Sequence, residues 1–222
     1  MLDKPMTIRK PADRGDALTT TEPTRQTQAE RRETAERAIL EAAAVIVAER
    51  GLEELTLNEA GEAAGYSRAL PAHYYGTKSA LLEALANHIM AGYVERMRTA
   101  SMAGEGLERL CNVIEFALDD ALANPTPARA YQTIMAAGLN RPELRPTVER
   151  ITRQGIDDFA ALIAQGRAKG EIGADVRPRA DASIILASLR GVLFQWLIIP
   201  DHVSLSHMRD NLVANVRNSL KA

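Results

Sequence analysis

The sequence has one cysteine, Cys111, in 222 residues. That excludes a disulfide framework and leaves too few thiols for a cysteine-rich zinc site. A reduced, cytosolic compartment follows. Aromatic residues are scarce at 4%, which argues against a large aromatic cage for planar cationic ligands. Apolar runs are short: Val192-Leu193-Phe194 is cut by Gln195, and Trp196 to Ile199 stops at Pro200. A membrane helix needs roughly 20 apolar residues, so no membrane partner is expected. The N-terminus has no apolar signal core, because Lys4, Arg9, Lys10, Asp13, Arg14 and Asp16 interrupt it. A positive overall field is missing too. The net charge is −2, so any nucleic-acid site must be local.

What remains has the composition of a globular protein, 46% hydrophobic and 25% charged, in a chain long enough to bury a sizeable core. Met1 to about Gln28 is polar and broken by Pro5, Pro11 and Pro23. It has no sustained period and reads as a flexible arm. From Arg31 the apolar period is helical: Ile39, Ala42, Ala43, Ile46 and Val47 fall on one face. Gly51 ends that helix, and Leu52 and Leu55 pack back on it. No run alternates between apolar and polar residues as a half-buried strand does. Glycine- and proline-bearing breaks then separate apolar-periodic segments at Thr77 to Ala100, Leu107 to Ala123, Pro127 to Leu139, Pro142 to Lys169, Arg179 to Ile199 and Leu205 to Leu220. The fold class is all-α, with about nine helices.

The stretch Leu55 to Lys78 carries the most information. Thr56-Leu57-Asn58-Glu59 has capping-box spacing. The helix it starts is short and ends near Ala64-Gly65, where glycine permits a tight turn. Ser67 then caps a second short helix from Arg68 to about Tyr74, and Thr77 caps a long one through Leu81, Leu82 and Leu85. Two short helices joined by a glycine turn make a helix-turn-helix, which projects the start of its second helix into a major groove.

The run Ile39-Leu40-Glu41-Ala42-Ala43, then Gly51, Thr56, Ala64-Gly65-Tyr66-Ser67 and Tyr75-Gly76-Thr77-Lys78 with Leu81-Leu82 resembles the N-terminal domain of TetR-family transcriptional regulators. Gly170-Glu171-Ile172, Asp175-Val176, Leu189-Arg190-Gly191 and Gln195-Trp196-Leu197 resemble the last helices of many such regulators. The resemblance implies a homodimer, a double-stranded operator with two half-sites, and a C-terminal domain that senses a small-molecule effector. It divides the chain into the arm at 1–28, a DNA-binding domain at 29–78 with its motif at about 56–75, and a helical effector-binding and dimerisation domain at 79–222. Ala60, Gly61, Val47 and Ala72 depart from the family pattern, which usually has Ile, Ala, Phe and Tyr there. Pro71 lies one turn into the reading helix and removes a backbone donor. These exchanges predict a thinner core.

Roles follow from chemistry. Thr56 and Lys78, at helix N-termini, suit phosphate contacts. Arg68, flanked by Ser67 and Ala69, can fork to guanine O6 and N7. Leu70 reaches for a thymine methyl, His73 and Tyr74 for a base edge or phosphate, and Arg31 and Arg32 for the backbone. From Arg25 to Lys78 there are seven basic and nine acidic residues, so Glu36, Glu41, Glu49, Glu53, Glu54 and Glu62 are expected to face mostly away from DNA. Apolar stripes suggest a dimer interface from Ile184, Ala187, Gly191, Phe194 and Ile198 together with Leu205, Met208, Leu212, Val216 and Leu220; an intrachain core is the alternative. Ligand-wall residues are Tyr93, Phe116, Tyr131, Met135, Phe159, Arg190 and Trp196. Arg190 suits an acidic ligand or an internal carboxylate equally.

Cys111 sits among Leu107, Leu110 and Ile114 and reads as a buried thiol. The four histidines are dispersed, and Asp157 and Asp158 point about 100° apart on a helix. No nucleophile–base–acid set, phosphate loop or metal cluster appears, so neither an enzyme nor a cofactor is expected. The reading is a ligand-responsive repressor. The alternative is a helical small-molecule-binding protein or enzyme that does not read DNA, which the departures at Ala60, Gly61 and Ala72 leave open.

Overall fold

In the computed structural model, residues 27–100 and 103–221 are described. They form nine α-helices: α1 (Gln28–Arg50), α2 (Leu57–Ala63), α3 (Leu70–Tyr75), α4 (Lys78–Thr99), α5 (Gly106–Ala123), α6 (Pro125–Ala137), α7 (Arg145–Ala168), α8 (Pro178–Ile198) and α9 (Leu205–Leu220). Among the described residues there is no strand. A single antiparallel bridge joins Ile172 to Lys221.

Most of the arm expected at 1–28 lies outside the described residues. Its last two residues are the N-cap and the first residue of α1. Thr27 and Glu30 make a reciprocal capping box there, each side chain accepting from the other's backbone N–H. Two helix starts also differ from expectation. α6 begins at Pro125 rather than Pro127, because proline fits the first helical turn without losing a bond. α7 begins at Arg145 rather than Pro142, because the first-turn proline is Pro146, and Leu144 N–H closes a turn onto the Arg141 carbonyl.

Two cores form. One gathers Ile39, Ala43 and Val47 of α1, Leu55, Ala60 of α2 and Leu81, Leu82 and Leu85 of α4, and continues into Ala130 and Ile134 of α6 and Leu144 and Ile151 beside and within α7. The other joins α5, α7, α8 and α9 around Leu110, Ile114, Leu118, Ile163 and Leu220. Cys111 is fully buried in the second, and burial pushes its thiol pKa up. The first core crosses residue 78, so α4, α6 and the start of α7 pack with the N-terminal helices. Arg141 extends the connection with an ion pair to Glu53, and Arg150 with a hydrogen bond to Asn87 on α4 at 2.5 Å.

α8 runs straight through Gln195. By length and composition it reaches the range of a membrane-crossing helix, with a mean hydropathy of 1.4. Its Ala182, Ile185, Leu189 and Val192 are buried in the second core, and Leu197 is buried as well. Its opposite side is exposed: Ile184 is 64%, Phe194 53% and Ile198 63% accessible.

The thin core expected around Gly61 is not found. A Cβ at Gly61 would lie 2.7 Å from the Ser67 carbonyl oxygen and 2.9 Å from Pro71 Cδ. The missing methyl is thus the space that the Pro71 ring and the inter-helix turn occupy, and Pro71 is buried there. Its absent N–H falls in the first turn of α3, where no intrahelical partner is needed. Gly61→Ala should therefore lower the melting temperature. Overpacking against a backbone oxygen costs about 1–3 kcal/mol, against roughly 1 kcal/mol of gained helix propensity. A thermal melt by circular dichroism reads this, and a raised melting temperature would refute the packing argument.

Candidate nucleic-acid interface

The α2–turn–α3 unit is set by its ends. Thr56 Oγ1 accepts from the Glu59 backbone N–H at 3.1 Å and caps α2. Only half of the expected capping box forms, because the Glu59 carboxylate pairs with Arg50 at the end of α1. Gly65 adopts φ +77°, a left-handed conformation open to glycine, and Tyr66 N–H then reaches the Gly61 carbonyl at 2.9 Å. Ser67 does not cap α3 with its side chain. Its carbonyl accepts from Leu70 N–H at 3.1 Å, and Ser67, Arg68 and Ala69 form the turn ahead of the helix. The cause is Pro71, which fixes the first helical turn at Leu70. Thr77 caps α4 through Ala80 N–H at 3.1 Å.

Most of the expected DNA-contacting residues sit at or beside these ends. Arg68 has a side chain 69% exposed. It is not unaccompanied: its Nη2 donates to Glu62 at 2.8–2.9 Å. Hydrogen bonding from Arg68 holds the Glu62 carboxyl below the usual carboxylate range. Glu62 therefore does not face away from the reading residues, as the charge count had suggested. No local pattern marks this pair, which lies six residues apart across a turn. Thr56, Ser67, Ala69 and His73 are exposed, while Leu70 and Tyr74 are half-buried against the first core. Lys78 Nζ donates to the Glu53 carbonyl at 3.1 Å. Arg32 stands 5.1 Å over the Tyr74 ring and binds Glu36 at 2.8 Å, which joins the start of α1 to α3; Arg31 beside it is exposed. Burial pushes the neighbouring Tyr75 phenol up to about 12, with Glu36 adding to the shift. Tyr66, 36% exposed in the turn between α2 and α3, is a further aromatic on this face that periodicity did not single out.

The expected ligand-wall residues divide. Tyr93 of α4 and Phe116 of α5 pack with ring centroids 5.6 Å apart. Burial, then the charge of Asp120 and the nearby Tyr131, raise the Tyr93 pKa. Tyr131 of α6 accepts from Arg190 of α8 at 3.4 Å, and Arg190 also donates to Thr152 of α7 at 3.1 Å. Met135 instead packs against the first core, Phe159 is buried in the second, and Trp196 packs against the second. Thr152 was not anticipated, because a single threonine on an amphipathic helix carries no local signal.

The expected interface stripes also divide. On α8, Ile184, Ala187, Phe194 and Ile198 are exposed and Gly191 is half-exposed. On α9 the stripe is turned inward: Leu205, Leu212, Val216 and Leu220 are buried and Met208 is half-buried against the same core. That stripe is intrachain core, because α9 closes over α5 and α8. The outward side of α9 holds His207, Asn211, Ala214 and Asn218.

Residues 39–85 match the family described as bacterial regulatory proteins, tetR family, and residues 106–221 match the BetI-type transcriptional repressor C-terminal domain. The chain belongs to the TetR family. The two matches cover both halves of this TetR-family chain, including the region where its reading helix departs from the usual pattern. Its relatives include the HTH-type transcriptional regulator BetI of Stenotrophomonas maltophilia (strain R551-3), 32% identical over 98 residues. That match takes in 43% of this chain and 50% of the relative, so the chain spans about half the length of the curated relative it matches. A regulator of the family from Rhodococcus sp. has the same fold, with a TM-score of 0.76 at 24% identity over 86% of this chain and all of the other. A transcriptional regulator from Saccharomonospora viridis, solved with choline, has a TM-score of 0.74 at 20% identity over 86% of this chain and 99% of that one.

Proposed function

We propose that this TetR-family protein is a cytoplasmic homodimeric repressor, without enzymatic activity, that leaves its operator when a small-molecule effector binds. Residues 29–78 form the reading head and 79–222 the effector-binding and dimerisation part. The exposed Arg68 ahead of α3, flanked by the capped starts of α2 and α4, carries this reading. Arg68 reads a base edge, with Ser67, Ala69, Leu70, His73 and Tyr74 beside it. Thr56, Lys78, Arg31 and Arg32 hold phosphates. With few cations on the head, the salt dependence is modest and reflects a few phosphates per subunit.

The exposed apolar side of α8, with Ile184, Ala187, Gly191, Phe194 and Ile198, meets its copy across a two-fold axis. The outward face of α9 completes the contact. The two heads then address half-sites about one DNA turn apart. The effector acts by preferring the arrangement in which the heads are wrongly spaced. The first core supports this coupling, since α6 packs directly on α1 of the head and shares that core with the start of α7.

Selection from a random duplex library at low salt tests the reading. Enrichment of a two-half-site palindrome is expected. No enrichment by a folded protein would refute operator reading and return the chain to the helical small-molecule-binding alternative.

A further inference from the structure

We propose that Arg190, Thr152 and Tyr131 form a receptor for one carboxylate, so that the effector is an amphiphilic monocarboxylic acid whose apolar body lies along Tyr93 and Phe116. The inference rests on the effector reading above and assigns the chemistry of that ligand.

Arg190 is half-buried where α6, α7 and α8 meet. Among the described residues its partners are two neutral hydroxyls, Thr152 Oγ1 at 3.1 Å and Tyr131 OH at 3.4 Å, and no carboxylate pairs with it. An internal carboxylate is thus not its partner. A guanidinium carries five N–H donors, and these two contacts leave most of them unused. Both hydroxyls accept from Arg190 and keep their own protons to donate. The cluster therefore offers donors and positive charge, with no anion to balance them. A partly desolvated cation in that state is costly, and an arriving anion relieves the cost.

The planar fork of arginine matches a carboxylate edge to edge. A single cation matches a single negative charge, so a dianionic phosphate would remain half-compensated. Asp120, whose charge acts on Tyr93, is itself held by Arg96 through two bonds of 2.5 and 2.8 Å. The surroundings favour an apolar ligand body, since Tyr93 and Phe116 pack together and Tyr131 lies within electrostatic reach of Tyr93. A quaternary ammonium would meet positive charge here.

The test uses the full chain. Octanoate, benzoate, octan-1-ol, octyl phosphate and choline are titrated by calorimetry and by thermal shift. At least one carboxylate is expected to bind ten times or more tighter than the alcohol, with octyl phosphate weaker and choline without effect. Arg190→Gln should abolish that preference. Arg190→Lys should restore part of it. Thr152→Val, which keeps the shape and the charge, should weaken carboxylate binding several-fold, and it serves if Arg190→Gln fails to fold. Carboxylate and alcohol binding alike, a preference for choline or for the phosphate, or Arg190→Gln binding octanoate like the parent would each overturn the proposal. Operator binding is measured separately: its absence would sink the repressor reading without touching the ligand result.

Discussion

Phe194→Asp, alone or with Ile198→Asp, is expected to leave a folded monomer that binds the operator about 10²- to 10⁴-fold more weakly than the parent. Both side chains are more than half exposed on α8, so substituting them changes chain stability by only about 0.5 kcal/mol. In the proposed dimer the same positions lie within the apolar contact, next to the small Ala187 and Gly191 that would let two helices approach. An aspartate there must be stripped of water with no partner, which the association cannot sustain. The operator effect follows from linkage. In a dimer the second head binds its half-site at the high local concentration set by the first, and a monomer loses that advantage. Light scattering gives the mass, a melt gives the fold, and a gel shift on one and two half-sites gives the affinities. A variant that stays dimeric would move the interface elsewhere.

Arg68→Ala is expected to relax preference at one base position by about 1–3 kcal/mol, the range of a bidentate arginine–guanine contact. Thr56→Ala gives a contrasting signature. It should weaken binding to every sequence about equally, and shorten the stability of α2 by about 1 kcal/mol through the lost cap. Glu62→Gln separates the two parts of Arg68's environment. The pair is exposed, so its removal should leave the melting temperature unchanged. It should instead strengthen DNA binding across sequences, because Arg68 no longer leaves a carboxylate to reach DNA. Sequencing of retained duplexes reads the change of preference, and gel shifts on one fixed duplex read the two uniform changes. An Arg68→Ala protein with the parent's sequence preference would refute the base-reading role.

The helices and their order were legible because periodicity, caps and glycine breaks are local, and they agreed along the chain. Gly51 and Thr77 mark ends that the structure uses as expected. What escaped depends on neighbours distant in sequence. The stripe on α9 was visible as apolar, but a period says that a face is buried and not against what. The Gly61–Pro71 contact looked like two separate losses and is one fit. Glu59 was assigned to a local box and answers Arg50 instead. Ser67 has the chemistry of a cap, but a proline four residues later decides where α3 begins. Arg190's surroundings required three helices to converge before its lack of a carboxylate had meaning.

The core shared by α1, α4, α6 and the start of α7 also bears on how such a protein can be rebuilt. A cut at residue 78 would strip Ile39, Ala43 and Leu55 of Leu81, Leu85 and Ile134, so the head is not a cassette to be moved between scaffolds. A hybrid carrying this head needs α4 and α6 with it. New operator preferences are reached more simply by exchanging the few exposed residues between Ser67 and His73 on an unchanged frame.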